Sequence, residues 1–188
     1  TNNRDVTIRG NFDFKGLWTN GSGNTVNFTG VTQVITGSPT LNHMMVSSSA
    51  SLTMQPSSVL TVNGNLTVNT PQLVDGANAI VVKKNLTVNG NVVNSDPLIA
   101  SSGLKLRGAE NQKIAGSGSL GSLELDNITG AILLNHVNLA RNLTLTRGLL
   151  NIGSYLLSLG ADASIVSGNA FSSGNMILSD AVYGINGG

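Results

Sequence analysis

Residues 60–69 read Leu-Thr-Val-Asn-Gly-Asn-Leu-Thr-Val-Asn, and residues 80–89 repeat the pattern as Ile-Val-Val-Lys-Lys-Asn-Leu-Thr-Val-Asn. A third copy, Val-Asn-Leu-Ala-Arg-Asn-Leu-Thr-Leu-Thr, spans residues 137–146. Each copy contains doublets in which two apolar residues enclose a third residue. Alternation of this kind is typical of a short strand with one buried face. The 20-residue offset between the first two copies predicts that equivalent strands stack on one another.

Doublets of the same kind recur along the whole chain. Counted between their second members, successive doublets are 18 to 22 residues apart. The nine doublets are Val6-Ile8, Val26-Phe28, Met44-Val46, Leu66-Val68, Leu86-Val88, Leu104-Leu106, Leu123-Leu125, Leu143-Leu145 and Ala163-Ile165. We expect the doublet residues to be buried in one continuous column and the enclosed residues to face solvent, because a slip of one residue would invert each strand.

This period near 20 residues predicts an all-β fold, a right-handed parallel β-helix (β-solenoid) of about nine coils of roughly 20 residues each. Helical repeats of 33–47 residues are too long for the pattern, and the signature of leucine-rich repeats is not found. The chain contains 24 Asn and 23 Gly, which suit frequent tight turns and exclude long helices.

A longer repeat overlies the coils. Gly30-Val-Thr-Gln-Val-Ile-Thr-Gly37 resembles Gly108-Ala-Glu-Asn-Gln-Lys-Ile-Ala-Gly116, and apolar doublets follow both stretches at similar distances. We therefore predict two related units, residues 28–93 and residues 106–158. We interpret residues 1–188 as a single solenoid segment cut from a larger protein.

Composition excludes several classes of function. The net charge is +1, only 10% of residues are charged, and cysteine is absent. No basic patch is interleaved with aromatic residues, so nucleic acid is not expected as a partner. No run of 18 apolar residues is present, so no membrane insertion is expected. Disulfides and thiolate metal sites are excluded, and we expect no cofactor.

The run Phe28-Thr-Gly-Val-Thr-Gln-Val-Ile-Thr-Gly37 and the Asn-Leu-Thr-Val-Asn-Gly repeats resemble the β-helical repeat regions of large secreted, adhesin-like surface proteins of Bacteroidota. Many of those proteins are exported by the type IX secretion system. The resemblance covers most of residues 6–166 and is strongest from residue 116 to residue 160. It implies an extracellular or cell-surface location and an adhesive or stalk-like role. Surface glycans, other proteins and adjoining domains of the same polypeptide would be the partners.

One acidic pair is the strongest candidate for chemistry. Glu124 and Asp126 lie two residues apart, and one coil earlier Lys105 and Arg107 occupy the matching positions. We expect two ion pairs, Lys105–Glu124 and Arg107–Asp126, on a solvent-exposed face, rather than catalytic residues. His43 and His136 occupy unrelated places in the long repeat. We expect them to be solvated turn residues and predict no metal site.

The aromatic residues lie near the two ends of the chain, and none occurs between residues 29 and 154. This distribution favours end packing for Phe12, Phe14 and Phe28. Trp18 and Tyr155 are the residues that we predict to bind a ligand, because exposed aromatic side chains tend to mark interaction sites.

These observations favour a non-enzymatic structural or adhesive segment of an extracellular surface protein, acting as a stiff spacer or a binding surface. The alternative is a polysaccharide-binding or polysaccharide-cleaving β-helix. An ice-binding solenoid is a minor alternative, because Met45, Lys105 and Glu124 interrupt the predicted outward column of Thr residues. Asn-x-Ser/Thr sequons recur along the chain, and for five of them we expect the Asn side chains to form turns and stacked hydrogen bonds. These five are at Asn27, Asn65, Asn85, Asn127 and Asn142.

Overall fold

The structure, a computed structural model, describes residues 4–16, 21–47, 49, 51–96 and 98–180. In these residues the chain forms 24 β-strands, β1–β24 in chain order, and no helix. The strands belong to three sheets, and the pairings between them are parallel. The all-β class predicted from the sequence is therefore confirmed.

The three sheets run side by side along the molecule. Sheet 1 contains, in stacking order, β1 (Val6–Ile8), β3 (Thr25–Phe28), β6 (His43–Val46), β9 (Leu66–Val68), β12 (Leu86–Val88), β15 (Gln112–Ala115), β18 (Ala131–Leu133), β21 (Leu150–Gly153) and β24 (Ile177–Ser179). Sheet 2 contains β2 (Phe12–Asp13), β4 (Thr32–Thr36), β7 (Ser51–Met54), β10 (Gln72–Val74), β13 (Asn91–Val93), β16 (Ser119–Leu120), β19 (Val137–Leu139) and β22 (Leu157–Leu159). Sheet 3 contains β5 (Thr40–Leu41), β8 (Val59–Val62), β11 (Ala79–Val82), β14 (Gly103–Leu106), β17 (Leu123–Asp126), β20 (Leu143–Arg147) and β23 (Ile165–Ser167).

From β3 to β23 the chain visits sheets 1, 2 and 3 in turn, so that one circuit of three strands is one coil of the solenoid. About eight such turns of about 20 residues are stacked along the axis. This arrangement confirms the predicted parallel β-solenoid. The right-handedness of the coils stays a prediction.

The core is a set of aliphatic columns that face the axis from all three sheets. Seven of the nine predicted doublets, from Val26-Phe28 to Leu143-Leu145, are fully buried. Val6 and Ile8 are half-buried and stack in register on Val26 and Phe28, which confirms the first doublet. Each buried aliphatic side chain contributes about 1.5–3 kcal/mol, so the stability of the solenoid is distributed coil by coil.

The prediction that the doublets form one continuous column was wrong. In sheet 1, Leu86 is paired with Ile114, and Thr87 is paired with Ala115. The next doublet of the sequence, Leu104-Leu106, lies instead in sheet 3. The first five doublets therefore belong to sheet 1, whereas the sixth, seventh and eighth belong to sheet 3.

A long turn between sheets 2 and 3 causes this change of sheet. The turn after β10 spans four residues, 75–78, whereas the corresponding turn one coil later, after β13, spans nine residues, 94–102. Leu104 in β14 lies only two strands after Leu86 in β12, whereas a complete coil contains three strands. The five extra residues nevertheless make this interval nearly as long in sequence as a complete coil. Spacing alone cannot distinguish this step from a complete coil.

The two units of the long repeat are also rotated relative to each other about the axis. Gln33 lies in β4 of sheet 2, whereas its counterpart Gln112 lies in β15 of sheet 1. The counterpart doublets Met44-Val46 and Leu123-Leu125 lie in sheets 1 and 3. The second unit is eleven strands further along the chain, which is one strand short of four complete coils. Equivalent sequences in the two units consequently face different directions.

The ninth doublet was assigned to the wrong register. Leu143 is paired with Ile165 rather than with Ala163, because the step between β20 and β23 is longer than a regular coil. Ile165 is exposed in this last coil of sheet 3. The residues that stack on the buried Leu143 and Leu145 are therefore Ile165 and Ser167, and not the predicted pair Ala163 and Ile165.

Buried amide side chains seal the turns in both units. The Gln33 side chain accepts a hydrogen bond from the backbone N–H of Gly30 and donates to the carbonyls of Ile8 (3.1 Å) and Gly10 (2.6 Å). Gln112 makes the same set of bonds to the backbone of Gly108, Val82 and Lys84. The resemblance between the two glutamine motifs therefore reflects one local structure, in which a side chain satisfies backbone groups at a corner.

The N-terminal end is packed with aromatic rings, as expected. The ring centroid of Phe12 lies 6.2 Å from that of Phe14 and 6.0 Å from that of the buried Phe28. These tilted and edge-on contacts are the arrangements that aromatic pairs prefer.

Candidate binding cleft

The long turn is attached to the solenoid by a buried polar network. Asp75 is completely buried, and its carboxylate accepts hydrogen bonds from the Asn94 amide (2.6 Å) and from the backbone N–H groups of Ser95 and Ala77. Asn94 also donates to the hydroxyl of Ser102 (2.8 Å). The network therefore holds both ends of the turn on the coil that precedes it.

Hydrogen bonds inside the turn fix its shape. The hydroxyl of Ser102 donates to the carbonyls of Ile99 (2.7 Å) and Asp96 (3.1 Å), and the carboxylate of Asp96 accepts from the backbone N–H of Leu98. The turn projects beside β14 and β17, and it places Leu98 and Ile99 above the outer face of sheet 3. We call residues 94–102 the insertion turn.

Charged side chains of three consecutive coils form an ion-pair network beside this turn. The predicted pairs are both present: Lys105 Nζ lies 2.5 Å from Glu124 Oε2, and Arg107 Nε lies 3.3 Å from Asp126 Oδ2. Arg147 adds a third pair, with its Nε 2.6 Å from Asp126 Oδ1. The hydrogen bond from Arg147 to Asp126 and the attraction between their charges raise the pKa of Arg147.

The prediction that these pairs lie on a solvent-exposed face was wrong for Lys105, Glu124 and Asp126. Their side chains are only 8%, 16% and 13% exposed, whereas that of Arg107 is 44% exposed. The insertion turn lies beside Lys105 and Glu124 and shields them. The hydroxyl of Thr146 donates to the second carboxylate oxygen of Glu124 (2.9 Å). Both oxygens of Glu124 are thus hydrogen-bonded inside a partly covered site.

A cleft of about 550 Å³ lies between the insertion turn and the outer face of sheet 3. This volume is within the range of small-molecule sites, about 300–1,000 Å³. The lining residues come from the insertion turn and from β14, β17, β20 and β23 with the turns next to them. They are Leu98, Ile99, Ala100, Ser102, Lys105, Ser122, Leu123, Glu124, Asn142, Thr144, Thr146, Val166, Ser167 and Gly168.

The cleft is polar on its floor and apolar at its sides. Lys105, Glu124, Thr144 and Val166 are stacked in register along the outer face of sheet 3. Leu98, at one side of the cleft, is 92% exposed. The site therefore combines hydrogen-bonding groups with accessible aliphatic surface.

Of the two predicted binding residues, Tyr155 is not among the described residues that line the cleft. Trp18 lies outside the described residues. Tyr155 lies in the turn between β21 and β22, is 38% exposed, and packs edge-on against the imidazole of His136 at 5.9 Å between ring centroids. A role for Tyr155 in binding stays a prediction.

The prediction of solvated turn residues is confirmed for His136, which is exposed between β18 and β19, and was wrong for His43, which is the first residue of β6. Nδ1 of His43 accepts a hydrogen bond from the backbone N–H of Asn65 (3.0 Å), and Nδ1 of His136 accepts one from the backbone N–H of Leu156 (2.9 Å). Each imidazole therefore joins its own coil to the following coil, and His43 is only partly exposed.

The expected hydrogen bonds between coils are confirmed for Asn65, Asn85 and Asn142 but not for Asn27, whose Oδ1 is buried without a hydrogen-bond partner in the described part of the chain. Oδ1 of Asn65 accepts from the backbone N–H of Asn85, and Oδ1 of Asn85 accepts from the backbone N–H of Lys113. Oδ1 of Asn142 accepts from the hydroxyl of Ser164. Asn127 is buried and donates to Gln112 and to two backbone carbonyls.

The outward column that was considered for ice binding also needs correction. After Thr87 the column of sheet 1 continues with Ala115, not with Lys105. The corrected column remains irregular and reads Thr7, Asn27, Met45, Thr67, Thr87 and Ala115.

Two further findings concern metal ions and membranes. Within the described ranges, no three His, Asp or Glu side chains are grouped so that they could hold a metal ion. The same part of the chain contains no helix long and apolar enough to cross a membrane.

Sequence reasoning identified the ion pairs but missed the cleft that contains them. The signal lay in Ser95-Asp-Pro-Leu-Ile-Ala-Ser-Ser102, where turn-forming residues flank two apolar residues. This stretch lies between two doublets whose separation is close to one regular period, so the spacing concealed it.

No family model, curated protein or solved structure matches the chain in the comparisons with known proteins.

Proposed function

We propose that this chain is a stiff, non-enzymatic segment of an extracellular surface protein, which holds other parts of that protein apart and presents a surface for adhesion. The observation that carries the proposal is the stacking of apolar columns, coil upon coil, through three parallel sheets. Eight spacings of about 4.8 Å between the nine strands of sheet 1 give a rod about 38 Å long.

The outer surface supports an extracellular location. It is mainly covered by Asn, Thr, Ser and Gly rather than by charged residues, and it lacks cysteine. The Asn-Leu-Thr-Val-Asn-Gly repeats, which resemble adhesin-like β-helices of Bacteroidota, favour the same location and a partner among surface glycans or other proteins.

Polysaccharide cleavage is the alternative function, because an acidic residue lines the cleft. Glycosidases use two carboxyl groups that flank the scissile bond, and Glu124 and Asp126 are neighbours on one strand. Here Glu124 accepts from Lys105 and Thr146, and Asp126 is held by Arg107 and Arg147. Ion pairs that occupy the oxygens of both carboxylates favour a structural role for these residues.

Two experiments test the proposal. Antibodies against the chain should label intact cells of the source organism, and labelling only after permeabilisation would contradict the surface location. In a reducing-sugar and lyase screen over a panel of polysaccharides, the protein should give no product above a boiled control. A degrading activity that Glu124→Gln abolishes without loss of fold would show that the chain is an enzyme.

A further inference from the structure

We propose that the cleft beneath the insertion turn binds a neutral carbohydrate of about one to three sugar units. The described lining of this site does not include Tyr155, which the sequence predicted to bind a ligand. It does not depend on the role of the rod as a spacer, because it arises from one irregular turn.

The charges of the cleft favour a neutral ligand. Lys105 is the one cation and Glu124 the one anion among its lining residues, and they are paired at 2.5 Å. A charged ligand would bind one member of this pair, and the other member would then be a charge that is shielded from water and has lost its partner, which is unfavourable. A neutral ligand can bind with the pair intact.

The polar floor favours a ligand with many hydroxyl groups. Thr144 presents a hydroxyl in the outward column of the floor, which can donate one hydrogen bond and accept others, and the hydroxyl oxygen of Thr146, whose hydrogen is bonded to Glu124, can still accept a hydrogen bond. Sugar hydroxyls have the same dual capacity. A wholly apolar ligand would instead cover these groups without replacing their hydrogen bonds to water, which costs about 1–3 kcal/mol for each group.

The sides of the cleft favour a ring with apolar faces. The side chains of Leu98, Ile99 and Val166 are accessible where they line the cleft. A pyranose has hydroxyls around its edge and C–H groups on its faces, so one sugar contacts both kinds of surface. Because the network of Asp75, Asn94 and Ser102 already orders the insertion turn, binding needs little further ordering.

The backbone of the floor argues against an extended peptide. Strands β14, β17 and β20 are internal strands of sheet 3, each paired with a neighbour on both sides. A peptide lying over β14, β17 and β20 therefore finds no free strand edge for the pairing that commonly gives peptides their affinity for sheets, and among the described floor strands only β23, at the end of the sheet, has an unpaired side.

The test titrates the full chain with neutral trisaccharides of glucose, galactose, mannose and N-acetylglucosamine, monitored by NMR chemical shifts. Trigalacturonate and an uncharged ten-residue peptide serve as comparison probes. We expect at least one neutral trisaccharide to bind with a Kd of about 1 mM or tighter, with shifts confined to residues of the cleft. Binding of none of the four, binding of trigalacturonate alone, or binding of the peptide alone would overturn the proposal.

Matched variants locate the site. Thr144→Leu removes a floor hydroxyl and should raise the Kd about tenfold or more, a loss of about 1.4 kcal/mol. Thr61→Leu changes the same outward column of sheet 3 outside the cleft and should leave the Kd unchanged. Equal affinities of these two variants would contradict the assignment.

Two changes in the insertion turn test the location of the ligand independently of the floor variants. Leu98→Asp should weaken binding, whereas Ile128→Asp, at a similarly exposed isoleucine outside the cleft, should not. Replacing residues 95–102 by Gly-Ala-Asn, the sequence of the short turn at 76–78, should keep the β circular-dichroism spectrum and abolish binding. Full affinity in the shortened protein would place the ligand elsewhere.

Discussion

The two repeat units, residues 28–93 and 106–158, share a core but differ on the outer face of sheet 3. Before the insertion turn, the central outward column of this sheet is uncharged and reads Thr40, Thr61 and Val81. After the turn it continues as Lys105, Glu124 and Thr144. The inward columns remain aliphatic throughout. Apolar spacing thus preserves the scaffold, while one irregular turn makes a local site on it.

The largest expected effect breaks the core that both units share. Val88→Asp in the first unit and Leu125→Asp in the second each place a charge in a fully enclosed aliphatic column. Each should cost more than about 4 kcal/mol and prevent folding. Thr87→Asp, at the half-buried outward neighbour, should be tolerated. Urea melts check this comparison, and equal stabilities of Val88→Asp and Thr87→Asp would refute the inward–outward assignment.

Substitution of Gln33 and Gln112 tests whether the equivalent corners of the two units contribute equally to the free energy of unfolding. Gln33→Ala and Gln112→Ala each leave three backbone groups, one at a buried hydrogen bond and two at partly buried ones, without their side-chain partner. Each variant should lose about 2–4 kcal/mol of unfolding free energy. Gln112→Ala should lose more, because Asn127 also donates to Gln112. A larger loss for Gln33→Ala in urea melts would mean that the units differ in ways that these contacts do not explain.

A smaller effect is expected at the insertion turn, which lies between the two units and is held by Asp75 of the first unit. Asp75→Ala removes the carboxylate that holds Asn94 and Ser95, and it should lower stability by about 1–3 kcal/mol. Amide hydrogen exchange should become faster in residues 98–102 and change little in the coils around β4 and β7. Uniform acceleration along the chain would show that the network supports the whole solenoid rather than the insertion turn.

The smallest effect concerns the outer surfaces. Thr61→Leu and Thr144→Leu change equivalent outward positions in the two regions, and each should alter the unfolding free energy by about 0.5 kcal/mol or less. Thermal melts check this expectation. A large loss for Thr144→Leu alone would mean that the cleft floor is needed for folding, and the effect of this variant on binding would then need to be measured at a lower temperature.

Much of the fold could be predicted from the sequence because the doublets are local and repetitive. The inward direction of Leu66, Leu123 and their equivalents follows from alternation within three residues. The sheet to which each doublet belongs does not follow, because that depends on the summed lengths of the turns between them. One nine-residue turn was enough to make the interval from Leu86 to Leu104 resemble a complete coil, so Leu104 was expected in sheet 1 although it lies in sheet 3.

The candidate site was predictable only in part, for a similar reason. The offset from Lys105 to Glu124 does correspond to one coil, so the ion pair was predicted correctly. Its shielding depends on how the insertion turn folds back over the sheet. That fold depends on Asp75, which lies a coil earlier and whose Asp-Gly sequence predicts only a turn.

The central claim is that the stacking register passes from Thr87 to Ala115 across the insertion turn. Because the chain has no cysteine, this register can be tested by cross-linking. Adjacent strands about 4.8 Å apart bring outward residues in register within the Cα–Cα range of a disulfide, about 4.4–6.8 Å. The double variant Thr87→Cys/Ala115→Cys should form an intramolecular disulfide under mild oxidation, whereas Thr87→Cys/Lys105→Cys should not. A disulfide between positions 87 and 105, with none between 87 and 115, would contradict the account.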